Sequence, residues 1–230
     1  CTQAGNVNTG SFDPIGDSSD IAHRSVAWVH VDGAVGLWAS ASPVLCHLTE
    51  GAEKADSWAT DGHKWLNVPY DSGIALVCDP HPLKAAMAIT AEYLPTSAPH
   101  RNPSDFTPEL SRRARGIEVW AALRHLGRGG VADMIERCCR HARRFADGFN
   151  SSGYRVLNNV VLNQVLVSFG NPEKTKKVIA GIQQDGTCYC GGTVWQGQEA
   201  IRISVSSWAT TEEDVEKSLT AMLRIADNID

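Results

Sequence analysis

Thr60-Asp61-Gly62-His63-Lys64-Trp65-Leu66-Asn67 sets a lysine in a short, glycine-relieved turn, beside a histidine and among apolar neighbours. Upstream, Ala27-Trp28-Val29-His30-Val31 is rich in β-branched and aromatic residues and stops at Asp32-Gly33-Ala34, which predicts a buried strand ending on a carboxylate. Ala55-Asp56-Ser57-Trp58-Ala59-Thr60 predicts a second short strand running into the lysine turn. Gly73-Ile74-Ala75-Leu76-Val77-Cys78 predicts a third, stopped by Asp79-Pro80. Residues 1–90 therefore read as α/β. Ligands in open α/β sheets sit beyond the carboxyl ends of strands, so Asp32 stands at a productive place.

A lysine downstream of a strand-end aspartate is what a pyridoxal phosphate (PLP) site requires. The lysine amine forms a Schiff base with the cofactor, and a carboxylate keeps its ring nitrogen protonated. Trp58, Trp65 and Leu66 around Lys64 disfavour an ammonium and so favour the nucleophilic amine. His63 is positioned for the cofactor phosphate or the turn backbone. Taken singly, His63 reads as a structural hydrogen bonder, Asp32 as a turn former and Lys64 as a solvated lysine. Their combination reverses that reading.

Composition narrows the classes. In 230 residues, 43% are hydrophobic and 20% charged, an ordinary globular balance able to bury a sizeable core. A net charge of −5 argues against a general nucleic-acid or anionic-membrane binder. No apolar run approaches the roughly 18 residues of a membrane span. The seven cysteines form no regular framework and read as free thiols in a reducing cytoplasm. Cys138-Cys139 and Cys188-Tyr189-Cys190 lack zinc-site spacing, and His23, His47, His81 and His125 lack metal-like spacing, so no metal site is expected.

Between residues 92 and 111, Pro95, Pro99, Pro103 and Pro108 with Ser, Thr and Asn predict a long loop, flexible near 94–110, of the kind that serves as a functional lid. From about 112 the pattern turns helical. Ile117, Trp120, Leu123 and Leu126 mark one helix closed by Gly127. Val131, Met134, Ile135, Cys138, Ala142, Phe145 and Phe149 follow at helical spacing. Strands are expected near 164–169 and 200–206, with a helix near 173–184 and a glycine-rich stretch at 186–192. A last helix opens on Thr211 and Asp214 as a capping-box variant and carries Val215, Leu219, Met222, Leu223 and Ala226 on one face. Trp120, Trp195 and Trp208 read as core aromatics. The arginines at 112, 113, 115, 124 and 128 read as a solvated or interdomain helix start.

Taken together, Gln3-Ala4-Gly5-Asn6-Val7-Asn8-Thr9-Gly10-Ser11-Phe12-Asp13-Pro14, Trp28 to Ala34, Ala55-Asp56-Ser57 and Asp61-Gly62-His63-Lys64-Trp65-Leu66-Asn67-Val68-Pro69-Tyr70-Asp71 resemble the PLP-dependent group II amino-acid decarboxylases. That family includes the aromatic-L-amino-acid, glutamate, tyrosine and histidine decarboxylases. Ser111-Arg112-Arg113-Ala114-Arg115 and Ala200-Ile201-Arg202-Ile203-Ser204 also fit, so the resemblance runs the length of the chain in order. It implies the aspartate-aminotransferase-like, fold type I, α/β architecture: an incomplete large PLP-binding domain over 1–115, a small C-terminal α+β domain over 116–230, and an active site at a homodimer interface. It further implies that Lys64 carries the cofactor and Asp32 pairs with its ring nitrogen. Ala34 would pack under the ring, with His63 and Asp61 near the phosphate and the lysine turn. Arg202 would meet a substrate carboxylate. The implied activity is decarboxylation of an L-amino acid to the amine and carbon dioxide, in the cytoplasm.

Two departures from the family pattern carry expectations of their own. The chain opens like the middle of a domain, on Cys1-Thr2-Gln3, so the family's stacking histidine and most of its phosphate ligands would lie upstream. Phe106, in Ser104-Asp105-Phe106, matches a loop position where relatives place a tyrosine that gives a proton. Phe106 has none to give, which predicts either another donor, such as His100, or diversion to an aldehyde. The rival readings are an aldehyde synthase or other lyase on the same fold, a non-catalytic homologue serving as a dimerisation unit, and a hydrolase using an N-terminal Cys1 nucleophile.

Overall fold

The computed structural model describes residues 1–89 and 101–229. Two four-stranded sheets organise them. The first contains β1 (Thr2–Gln3), β2 (His30–Asp32), β3 (Ser57–Asp61) and β4 (Gly73–Val77) in that spatial order, with β1, β2 and β3 parallel and β4 antiparallel. The parallel pairs need crossovers. The helix α1 (Ile15–Arg24) supplies the first, and three short 3-10 segments at 37–41, 46–49 and 52–54 supply the second. The turn helix α2 (Gly62–Trp65) then reverses the chain into β4, which is followed by α3 (Pro80–Met87).

The long helical segment α4 (Gly116–Ser151) leads to the second sheet of β5 (Arg155–Val156), β6 (Gln164–Ser168), β7 (Gly191–Trp195) and β8 (Gln198–Ser204). Its order is β5-β6-β8-β7, with α5 (Pro172–Asp185) between β6 and β7 and α6 (Glu212–Asp227) after β8. The predicted stop at Gly127 is real. Its φ of 61° and ψ of −176° break the helical path, so α4 is two helices in series. The capping box also forms: Thr211 Oγ1 accepts from the Asp214 N–H while the Asp214 carboxylate accepts from the Thr211 N–H.

One core cluster joins α4, α5 and α6 to the second sheet through Ile135, Phe149, Leu162, Val165, Ile182, Ile201 and Met222. Val35, Ala39, Leu45, Trp65 and Leu66 belong to the same cluster, so the turn that carries Lys64 is rooted in it. A second cluster of Ala4, Ile15, Val29, Val31, Ala52 and Ala55 packs α1 on the first sheet.

Several expectations change. The strand expected from Ala27, β2, begins at His30 instead: Val26 takes φ 54°, and Val29 spends its N–H on the Asp56 carboxylate. That bond, with His23, holds the Asp56 carboxyl below the usual carboxylate range. The glycine-rich stretch at 186–192 runs into β7, whose pairing with β8 supplies the order its sequence does not. Trp120 and Trp208 are largely exposed rather than core, because α4 turns Trp120 to solvent before Gly127 and Trp208 lies in the segment after β8.

The seven cysteines are free thiols. Burial pushes Cys138 up to about 11 and Cys139 and Cys190 up to about 12. Because the thiolate is the reactive form, alkylation near neutral pH is expected to mark the exposed Cys1, Cys46 and Cys78 and to spare those three until the chain unfolds. Peptide mapping after a timed alkylation checks this, and rapid labelling of Cys139 in the folded protein would contradict it.

Candidate active site

The site is built on the shared edge of β2 and β3. Asp32 pairs in register with Ala59, so the chain leaves β2 at the same edge where β3 ends on Asp61 and α2 begins. Thr60 Oγ1 donates to the Gly33 carbonyl at 2.9 Å and the Gly33 N–H donates to Ala59 O at 2.8 Å, which fixes the two strand ends together. Asp32 is exposed. Its Oδ1 accepts from the Ala34 N–H at 3.1 Å, an interaction that orients the carboxylate across the strand end.

Gly62 is required for space. A Cβ there would lie 2.7 Å from Ser72 Oγ, and the Gly62 N–H donates to Ser72 O at 2.8 Å, so the reversal into β4 closes tightly around it. Successive residues of the α2 turn point in different directions. Trp65 and Leu66 go into the core, while Lys64 Nζ goes to Asp61 Oδ2 at 2.8 Å with its side chain 34% exposed. The apolar flanks therefore do not surround the amine. The Asp61 carboxylate faces it instead. His63 stacks on Tyr70 with ring centroids 4.4 Å apart, and its buried Nδ1 has no hydrogen-bond partner among the described residues.

Lys64 and Arg202 line one small cavity of about 170 Å³, with Trp65, Asn163, Gln164 and Ser204. Arg202 Nη1 donates to Val7 O at 3.2 Å, so the turn after β1 helps hold the guanidinium. Within this wall Asn163 Oδ1 and Gln164 Oε1 are buried without partners among the described residues. Sequence reasoning passed over these two amides. The available signal was two polar residues at the head of the apolar run Val165-Leu166-Val167.

Phe106 is not among the residues lining that cavity. It ends a 3-10 turn at 103–106, and the Arg101 guanidinium lies 4.2 Å over its ring. His100 and the first part of the expected loop lie outside the described residues. The arginine run has a defined place: Arg113 and Arg115 both donate to Asp71, seven residues after Lys64, and hold its carboxyl down to about 2. Arg113 also pairs with Glu118, and Arg115 with Glu109. These residues tie the end of the lysine turn to the start of α4.

The family model described as the pyridoxal-dependent decarboxylase conserved domain matches residues 1–170. Tryptophan decarboxylase 1 of Oryza sativa subsp. japonica is 27% identical over 94% of this chain and 45% of its own length. The aromatic-L-amino-acid decarboxylase of Drosophila lebanonensis is 28% identical over 97% of this chain and 56% of its own length. The chain thus spans about half the length of the curated relatives it matches. Among solved structures, that of Oryza sativa TDC with PLP and tryptamine superposes with a TM-score of 0.92 at 24% identity, over 99% of this chain and 50% of that one. Rhodiola rosea 4-hydroxyphenylacetaldehyde synthase superposes with a TM-score of 0.87 at 24% identity, over 100% and 49%. The expected type I α/β fold is therefore borne out.

Proposed function

The chain belongs to the pyridoxal-dependent decarboxylase family, and from that premise we propose that it serves the PLP-dependent decarboxylation of an L-amino acid, with Lys64 as the residue that holds the cofactor covalently. The observation that carries this reading is the placing of the Asp32 carboxylate and the Lys64 turn at one edge of neighbouring parallel strands. The relatives named for tryptophan and for aromatic L-amino acids make an aromatic amino acid the first substrate to assay.

The residues fit the cofactor. His63 Nδ1 is a buried polar atom without a partner among the described residues, which suits a contact to the phosphate. Ala34 is a small, half-buried side chain two residues after Asp32, suited to lie under a flat ring. Asp32 has one oxygen on the Ala34 N–H, leaving the other for a ring N–H. When bound, PLP supplies an electron sink for the pair freed as the bond from Cα to the carboxylate breaks.

The chain's own residues do the rest. Asp32 holds a proton on the ring nitrogen by charge. Asp61, 2.8 Å from the Lys64 amine, would hold that amine in place within the site. Arg202, in the cavity shared with Lys64, orients a substrate carboxylate. We take the acting form to be a homodimer in the cytoplasm. Ile117 and Trp120, exposed at 64% and 66% on the first part of α4, support a partner surface there.

Borohydride reduction with added PLP, followed by peptide mass mapping, tests the assignment. A pyridoxyl group confined to Lys64 is the expected result. Adducts scattered over surface lysines with none enriched at Lys64 would sink it.

A further inference from the structure

Asn67 stands three residues after Lys64 with φ 50°, in the left-handed region. Asparagine tolerates that conformation better than most side chains, and a strained backbone persists only where its surroundings hold it. What holds it here is its own amide, although the residue is exposed. Nδ2 donates to the carbonyl of Lys64 at 2.7 Å and to the carbonyl of Ser206 at 3.0 Å. Oδ1 accepts from the Trp208 N–H at 2.9 Å. One side chain thereby links the peptide of the lysine itself to the segment that follows β8.

That segment is clamped in turn. Arg137 donates to Trp208 O at 3.0 Å, the Cys138 thiol reaches Ser207 O at 3.7 Å, and His141 Nε2 meets Thr210 O at 3.2 Å, all from α4. On its other side, Asn163 Nδ2 donates to Val205 O at 2.8 Å, and Asn163 lines the cavity with Lys64. The backbone of Lys64 is thus coupled by hydrogen bonds through Asn67 to the position of α4 and the second sheet, alongside the apolar packing of Trp65 and Leu66 in the same core.

We propose that Asn67 is a positioning residue: its amide fixes the Lys64 backbone against the 205–210 segment and so sets how the Lys64 amine is presented. That this matters for catalysis rests on the assignment of Lys64 as the cofactor-holding residue. The positioning itself does not.

The decisive variant is Asn67→Gly, because glycine adopts φ 50° without strain and the chain keeps its fold while losing all three bonds. Two readouts apply to the folded chain. Acetylation by acetic anhydride, mapped by mass, reports Lys64 with Lys177 as the reference, and needs no cofactor. Hydrogen exchange reports the Trp208 N–H. Asn67→Gly is expected to raise Lys64 acetylation relative to Lys177 by about fivefold, the equivalent of one net hydrogen bond, and to speed Trp208 exchange by a similar factor. Asn67→Asp keeps the acceptor and loses both donated bonds, so it is expected to restore protection at Trp208 and not at Lys64. Lys64 acetylation within twofold of wild type in Asn67→Gly, or restored to wild type in Asn67→Asp, would overturn the proposal. A wild-type chain with no selective pyridoxyl adduct would instead refute the cofactor assignment, with the acetylation result still deciding the role of Asn67.

Discussion

Asp32→Asn is expected to slow release of carbon dioxide from an aromatic L-amino acid in the cofactor-loaded protein by about 10- to 100-fold, while leaving borohydride trapping at Lys64 intact. The factor is what loss of one charge-assisted hydrogen bond, about 1.5–3 kcal/mol, amounts to when it acts on the barrier. An amide has nearly the volume of the carboxylate and still accepts from the Ala34 N–H, so the end of β2 keeps its shape. It lacks the charge that holds a proton on a ring nitrogen, and with that proton the electron-withdrawing power of the ring is lost. Parallel assays of amine formation and of pyridoxyl-peptide yield separate the two roles. Undiminished turnover in Asp32→Asn would remove Asp32 from the mechanism, and loss of trapping together with turnover would make it a binding residue instead.

Trp65→Ala is expected to destabilise the chain by about 3–5 kcal/mol from lost burial and the cavity left behind, a large share of the roughly 5–15 kcal/mol that separates folded from unfolded chains. Trp65 is 1% exposed and sits in the main cluster with Val35, Leu66 and Met134. Its indole N–H also donates to the Val35 carbonyl, which the substitution would leave unpaired. Trp65→Phe retains most of the ring and isolates that second effect, about 1–3 kcal/mol for an orphaned buried acceptor. Urea unfolding followed by circular dichroism measures both. A cost below about 1 kcal/mol for Trp65→Ala would mean that the lysine turn is not anchored in the core as described.

Much of this was legible in the sequence because it depends on near neighbours. The short polar turn after an apolar strand, the helical spacing from Val131 to Phe149, the break at Gly127 and the capping box at Thr211 are local, and backbone sterics and periodicity express them directly. The helix α1 escaped notice. Its ten residues, Ile15-Gly16-Asp17-Ser18-Ser19-Asp20-Ile21-Ala22-His23-Arg24, offer one buried apolar side chain at the start and an exposed Ile21, so their order comes from packing on the first sheet rather than from a stripe. The strand β7 escaped for the same reason, since Gly191-Gly192-Thr193 has little strand preference and is held by the ladder to β8.

The sequence by itself determined the residue types of the candidate site, Lys64 with Asp32, His63 and Asp61, and the family pattern they belong to, because chemistry fixes which side chains can serve and the chain order keeps them recognisable. Only the tertiary structure decided what surrounds them. It turned the apolar flanks of Lys64 inward and set Asp61 on its amine, brought Arg202 from the second sheet to the same cavity, and tied Asn67 to Ser206 and Trp208. Apart from the Lys64–Asp61 pair, which is three residues apart, those contacts join residues far apart along the chain, and their partners are set by the packing of α4 and the second sheet, which no local pattern of residues encodes.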